Sequence, residues 1–468
     1  MFENICSKFA GHTAYISDKN ESATYKDLVS FSQKMGTVIK KRSLIFSLCE
    51  NTSGSFFGYF SFICNQSVPL LLDAKIDQSL LANLIDIYQP NYLWTPSSMA
   101  ASFEKSKQIF SDFGYSLLTV SEKTVPMNDD LALLLATSGS TGSPKVVRLT
   151  YKNIRTNAES IADYLKITEM ERPVTTLPMH YSFGLSIINS HLISGATILL
   201  TNRTVFEKEF WSFVKERQAT SFSGVPYTYE MLHRLRFFRM DLPHLKTLTQ
   251  AGGRLSPALV QEFSEQSRSA GREFIVMYGQ TEATARMSYL PFNKSHDKYG
   301  SIGIAIPGGK FKLLDEEGKE IVEHGLDGEL VYTGDNVSLG YAEVQSDLAK
   351  EDENKGVLHT GDIARRDEDG FYYITGRKKR FVKLYGNRVN LDAMDQLLKG
   401  NMSEGEYACS GIDDNLIVYT TSRGKTDSIV NFLSEKTGIN RHAFSVKEIV
   451  EIPKNSSGKI LYAELSKL

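Results

Sequence analysis

Cysteine is scarce in this sequence. Four are present, Cys6, Cys49, Cys64 and Cys409, with no CxxC pair and no His/Cys cluster at metal-ligand spacing. That excludes a disulfide scaffold and a zinc site, and buried free thiols in a reducing cytoplasm are expected. An excess of one charge is also lacking. Lys and Arg number 53 against 55 Asp and Glu, so the basic surplus of a general nucleic-acid binder is missing and no nucleic-acid partner is expected. The opening residues show no basic stretch leading into an apolar run, and no secretory signal is expected there. The apolar stretch nearest to a membrane span, 55–72, contains Asn65, Gln66 and Pro69 and ends at Asp73. It predicts a buried helix followed by a strand, and no membrane span.

What is abundant points to a filled core. Apolar residues make up 41% of the 468, and aromatics 11%. A chain of this length exceeds one ordinary core, so two or three units are expected. Short β-like runs recur at 43–48, 68–72, 132–137, 196–201, 219–223, 247–251 and 273–277, with helical patterns such as 206–217 and 227–238 between them. This is the α/β pattern of layered sheets with helices on their faces. From 301 to 341 short strands and Gly-rich turns predict a β-rich subdomain. After the strand-like 371–375 comes a basic segment, Gly376 to Arg380. It predicts a boundary: a large N-terminal domain, 1–376, and a small mobile α+β lid, 377–468. The lid should contain a hairpin, a helix near 391–398, two strands, a helix near 427–436 and a last strand.

The most informative segment runs Thr137, Ser138, Gly139, Ser140, Thr141, Gly142, Ser143, Pro144, Lys145. A β-run enters it, and a polar, helix-capable stretch is expected after it. Its glycines let the backbone turn N–H groups inward, its hydroxyls add donors, and Lys145 adds charge, which is what a polyphosphate needs. A Walker A loop does not match. By composition alone, a Ser/Gly-rich surface turn is the alternative.

This segment resembles the phosphate loop of the acyl- and aminoacyl-adenylating superfamily: acyl-CoA synthetases, peptide-synthetase adenylation domains and luciferases. Further segments, spread over 24–460, carry the same resemblance. The stretch Pro178 to Ser186 resembles the acid-pocket motif, which implies that His180 or Tyr181 gates the carboxylate pocket. Gly184 stands where amino-acid-activating members often have Asp, which predicts an acid without an α-amine. Gly252 and Gly253 resemble the turn against the adenine and the acyl pocket. Tyr278, Gly279, Gln280, Thr281 and Glu282 match a motif that implies adenine packing by Tyr278, an α-phosphate contact by Thr281 and Mg²⁺ on Glu282. The segment containing Gly340 and Tyr341 reads as scaffold. Asp362 would bind the ribose hydroxyls, Arg377 ribose or phosphate, and Lys379 would be the hinge. Lys383 and Gly386 lie in a segment resembling the hairpin of thioester formation, and Lys459 in the closing motif whose lysine reaches carboxylate and α-phosphate. The C-terminal part is shorter than the usual lid.

The resemblance implies an AMP-forming acid–thiol ligase using ATP and Mg²⁺. It would activate a small carboxylic acid and deliver it to CoA or to the phosphopantetheine of a carrier protein. An amino-acid-activating ligase and an inactive adenylate-binding homologue are the alternatives.

Overall fold

In a computed structural model of the chain, residues 7–40, 42–104, 106–136, 145–402, 404–454, 460–465 and 467 are described. They form two compact units. One takes residues up to 310 together with 333–358, and the other takes 311–332 and 359 onward.

The first unit is built on two large sheets. The four β-like runs after residue 170 form strands that align in parallel, Ile198–Leu200, Ser221–Gly224, Thr247–Gln250 and Glu273–Tyr278, with one further strand, Pro173–Val174, between the first two. Thr13–Ser17 joins them in parallel, and short antiparallel strands close both edges of this nine-stranded sheet. The eight-stranded sheet has a parallel centre of Leu131–Ala136, Val68–Asp73, Leu44–Cys49 and Tyr92–Pro96. Parallel strands are covered on both faces, which is why they read as continuous apolar runs and not as alternation. The expected buried helix and strand at 55–72 are present as Ser53–Cys64 and Val68–Asp73. That helix and Ser182–Ile193 are buried nearly throughout, so neither needs an amphipathic face. No helix among the described residues is long and apolar enough to cross a membrane. Burial pushes the Cys49 thiol up to about 12, so it packs as an inert side chain.

Two local expectations need correction. The segment after Lys145 is a strand, Val146–Thr150, antiparallel to Leu131–Ala136. Segment 137–145 therefore joins two strands of one sheet, and the helix begins only at Tyr151, capped reciprocally by Thr150 and Asn153. Arg148, which makes the stretch look helical and polar, is fully buried. Its guanidinium donates to the carbonyls of Leu339 and Lys350 and pairs with Glu353 at 2.7 Å. Gly340–Ala342 belongs to the edge of this same sheet, paired with Val146–Arg148, and not to the β-rich region.

The β-rich region is a five-stranded sheet of Glu320–Ile321, Lys310–Leu314, Asp327–Thr333, Val357–Arg366 and Tyr372–Arg377. Most of it falls in the second unit, so the compact units do not part at 376/377. The helix Leu391–Asn401 packs against Tyr372–Arg377, and Asn390 Nδ2 donates to Thr375 O at 2.7 Å. The elements after 380 follow the expected order: the hairpin Phe381–Leu384 and Asn387–Asn390, the helix Leu391–Asn401, strands Tyr407–Ile412 and Asn415–Thr420, the helix Thr426–Thr437 and the strand Phe444–Glu448.

Candidate active site

The first unit places the residues of one turn with unusual precision. The strand Glu273–Tyr278 runs into Gly279, where a Cβ would lie 1.6 Å from Ala285 O; only glycine lets the chain double back so closely. Thr284 (φ 57°) and Ala285 (φ 101°) are left-handed, a conformation that persists only where surroundings enforce it. Here they do. Asn336 Nδ2 donates to Ala283 O at 2.8 Å and Arg286 O at 3.2 Å, Thr284 Oγ1 donates to Asn336 O at 2.7 Å, and Asn157 Nδ2 donates to Arg286 O at 2.8 Å. All four contacts are buried, so the turn is held by neutral groups away from water.

The turn presents Thr281 and Glu282. Thr281 Oγ1 lies 3.1 Å from Ser182 Oγ. Glu282 Oε1 accepts from Tyr341 Oη at 2.6 Å. Lys145 Nζ stands 5.6 Å from the centre of the Tyr341 ring and pairs with Glu343 Oε1 at 2.6 Å. Lys145, Tyr341 and Glu282 thus form one row. Burial, and then the charge of Glu282, push the Tyr341 phenol above its ordinary pKa, so it stays a donor. Sequence reading took Tyr341 for scaffold. The signal that reveals it is long-range register: Tyr341 pairs with Val147, two residues from Lys145.

Tyr181, Gly252 and Gly253 come together. Gly252 has φ 82°, and a Cβ there would lie 2.5 Å from Tyr181 Oη and 3.0 Å from Val225 Cγ1. At Gly253 a Cβ would meet Pro226 at 3.1 Å. His180 is held differently. Its Nε2 lies 3.9 Å from Asp73 Oδ2 and its Nδ1 is buried without a partner. Burial lowers its pKa against the opposing pull of Asp73, so the ring is neutral. Gly184 has a packing role as well. A Cβ there would sit 2.2 Å from Pro178 O, so the helix Ser182–Ile193 needs glycine where it touches that segment. The Tyr278 hydroxyl accepts from Gln280 Nε2 at 3.3 Å.

The second unit holds the other candidates. Asp362 is buried, directly opposite Arg377 in the sheet, with Arg377 Nε at 3.5 Å. Lys379 is exposed in the turn that follows, while its neighbours are fixed: Lys378 pairs with Glu329 at 2.8 Å, and Arg380 with Asp392 and Asp395. Lys383 and Gly386 lie on the hairpin. Tyr385 (φ 48°) and Gly386 (φ 85°) form a two-residue connection with both φ positive, the geometry that matches strand twist. Asp413 and Asp414 accept from the N–H groups of Lys383 and Tyr385 at 2.9 and 2.7 Å. Thr137, Ser138, Gly139, Ser140, Thr141, Gly142 and Lys459 lie outside the described residues.

No cluster of three or more His, Cys, Asp or Glu side chains fit for a metal occurs among the described residues. Mg²⁺ does not require one. It keeps waters and takes one or two carboxylates together with phosphate oxygens, which a single carboxylate such as Glu282 fits.

The profile of the AMP-binding enzyme family matches residues 70–342. The chain is 31% identical over 375 residues to a long-chain-fatty-acid–CoA ligase of Escherichia coli O157:H7, covering 75% of this chain and 64% of the ligase. It is 29% identical over 349 residues to an oxalate–CoA ligase of Arabidopsis thaliana, covering 71% and 66%. The match to the first of these relatives therefore spans less than two thirds of its length. The fold is similar to that of o-succinylbenzoate coenzyme A synthetase from Bacillus subtilis in complex with AMP, with a TM-score of 0.81 and 21% identity. That alignment covers 99% of this chain and 97% of the other.

Proposed function

Since the chain belongs to the AMP-binding enzyme family, we propose that it activates a carboxylic acid with ATP, releasing pyrophosphate, and passes the acyl group from acyl-AMP to a thiol. The observation that carries this reading is the row Lys145–Tyr341–Glu282 beside Thr281, on a turn fixed by buried amides. The acid's carboxylate and the α-phosphate are both anions, so the reaction is limited by bringing them together, and positioned charge is the means. Lys145 and the loop 137–142 would cradle the phosphates, and Thr281 would donate to the α-phosphate. Glu282 would hold Mg²⁺, which when bound neutralises phosphate charge. Tyr278 and the turn at Gly252, Gly253 and Gly279 would pack on the adenine. Tyr181, beside Gly252, would close the carboxylate pocket, with neutral His180 and Gly184 behind it.

Asp362 would accept from the ribose hydroxyls, with Arg377 on ribose or phosphate. Lys459 would bridge carboxylate and α-phosphate in the first step. For the second step, the segment 377–468 would turn about Lys379 to exchange Lys459 for the hairpin of Lys383 and Gly386, where a glycine leaves room for a pantetheine arm. The thiol is that of CoA or of a carrier-protein phosphopantetheine; the names of the relatives support CoA. We place the reaction in the cytoplasm, where ATP is at hand and the described cysteines, none of them in a disulfide, stay reduced.

The test is exchange of labelled pyrophosphate into ATP by the purified protein with Mg²⁺ and a panel of carboxylic and amino acids. Exchange that depends on a carboxylic acid is expected. AMP binding without exchange for any acid would instead mark an inactive homologue.

A further inference from the structure

Arg286 is 2% exposed and has no carboxylate within salt-bridge distance among the described residues. Its hydrogen bonds go to neutral groups: Nε to Ser186 Oγ at 3.1 Å, and Nη1 to Tyr164 Oη at 3.2 Å and Met277 Sδ at 3.3 Å. Nη2 makes none to a described residue. The guanidinium also lies 5.1 Å from the centre of the Phe183 ring. A hydroxyl, a thioether and a ring face ease the burial of a cation but do not neutralise it, and buried charges are ordinarily paired. Were Arg286 only a tie between helices, a neutral amide would serve without that cost.

Its position relates it to the acid pocket. Phe183 meets the Tyr181 ring edge-on at 6.4 Å, and the Tyr181 hydroxyl lies against Gly252. A chain of contacts therefore runs from the expected gate to the guanidinium. Met277, Phe183 and Val225 belong to one apolar cluster with Tyr164 and Tyr181 packed on it. The Arg286 backbone is pinned by Asn157 and Asn336 directly after the left-handed Thr284 and Ala285, so the side chain departs from a fixed point.

We infer that Arg286 selects the acid: the substrate carries, besides the carboxylate that is activated, a second anionic group that pairs with this guanidinium. The inference rests on the adenylation reading and names the substrate class for the same site. A planar fork suits a carboxylate or another oxyanion.

The test compares α,ω-dicarboxylic acids from four to ten carbons with their monomethyl esters, which keep one reactive carboxylate and lose the second charge. Pyrophosphate exchange by the wild-type protein should favour the best diacid over its ester by about 10- to 100-fold in kcat/KM, the scale of one hydrogen bond to a charged group. Arg286→Met should abolish the preference while exchange with the ester continues. Arg286→Lys should weaken it, and this variant carries the comparison if the thermal midpoint shows that Arg286→Met is unfolded. Equal use of diacid and ester by the wild type would overturn the inference and leave adenylation standing, as would a preference unchanged in a folded variant. Absence of exchange with every acid, esters included, would overturn both.

Discussion

The turn that carries Thr281 and Glu282 and the hairpin that carries Lys383 and Gly386 are both short, and both use left-handed backbone, yet they are held in opposite ways. The turn is fixed by Asn336, Asn157 and Thr284 through buried hydrogen bonds between neutral groups. The hairpin is exposed at its tip and rests on two aspartates, Asp413 and Asp414, that accept from its backbone. The difference matches what the two half-reactions would ask. Aligning two anions needs donors that do not move, whereas a segment that takes part only in the second step must be free to arrive and leave. Behind the tip the hairpin is anchored, since Val382, Leu384 and Val389 are buried in an apolar cluster.

The contrast can be broken from either side. The largest effect is expected at the hairpin. Gly386→Leu puts a branched side chain at φ 85° and into the proposed path of the thiol, and transfer from supplied acyl-AMP should fall ~10²-fold while pyrophosphate exchange is kept. Loss of both would show that the substitution unfolds the protein instead of blocking the thiol. Next comes Asn336→Ala, which strips Ala283 O of its buried donor. It should cost ~1–3 kcal/mol in urea denaturation and lower exchange about tenfold. An unchanged denaturation midpoint would mean that the turn stands without its amide. The smallest change is Tyr341→Phe, which removes one hydrogen bond from Glu282 and leaves the ring beside Lys145. Exchange should fall by roughly tenfold at low Mg²⁺ and recover as Mg²⁺ is raised. A loss that Mg²⁺ does not relieve would assign Tyr341 to something other than the carboxylate.

Much of this was legible in the sequence because it is local. The buried helix and strand at 55–72 and the element order after 380 each depend on neighbours along the chain. What escaped depends on partners far away. Val146–Thr150 became a strand because buried Arg148 binds carbonyls near residues 339 and 350. Tyr341 joined the candidate site through strand pairing, and Gly184 proved to be a packing glycine because of Pro178. Arg286 shows nothing in the sequence to set it apart from a solvated arginine; only its burial without a carboxylate does. The basic segment at 376–380 lies between a sheet and a helix that share one compact unit, joined by the Asn390–Thr375 hydrogen bond, a long-range contact that no local pattern shows.

In the proposed reaction the acid's own oxygen attacks the α-phosphate of ATP. This is tested by supplying the acid with ¹⁸O in its carboxylate, completing transfer to a thiol, and analysing the nucleotide and phosphate products by mass spectrometry. AMP that carries one ¹⁸O, together with unlabelled pyrophosphate, is expected. Label in orthophosphate, with ADP as the nucleotide product, would contradict it.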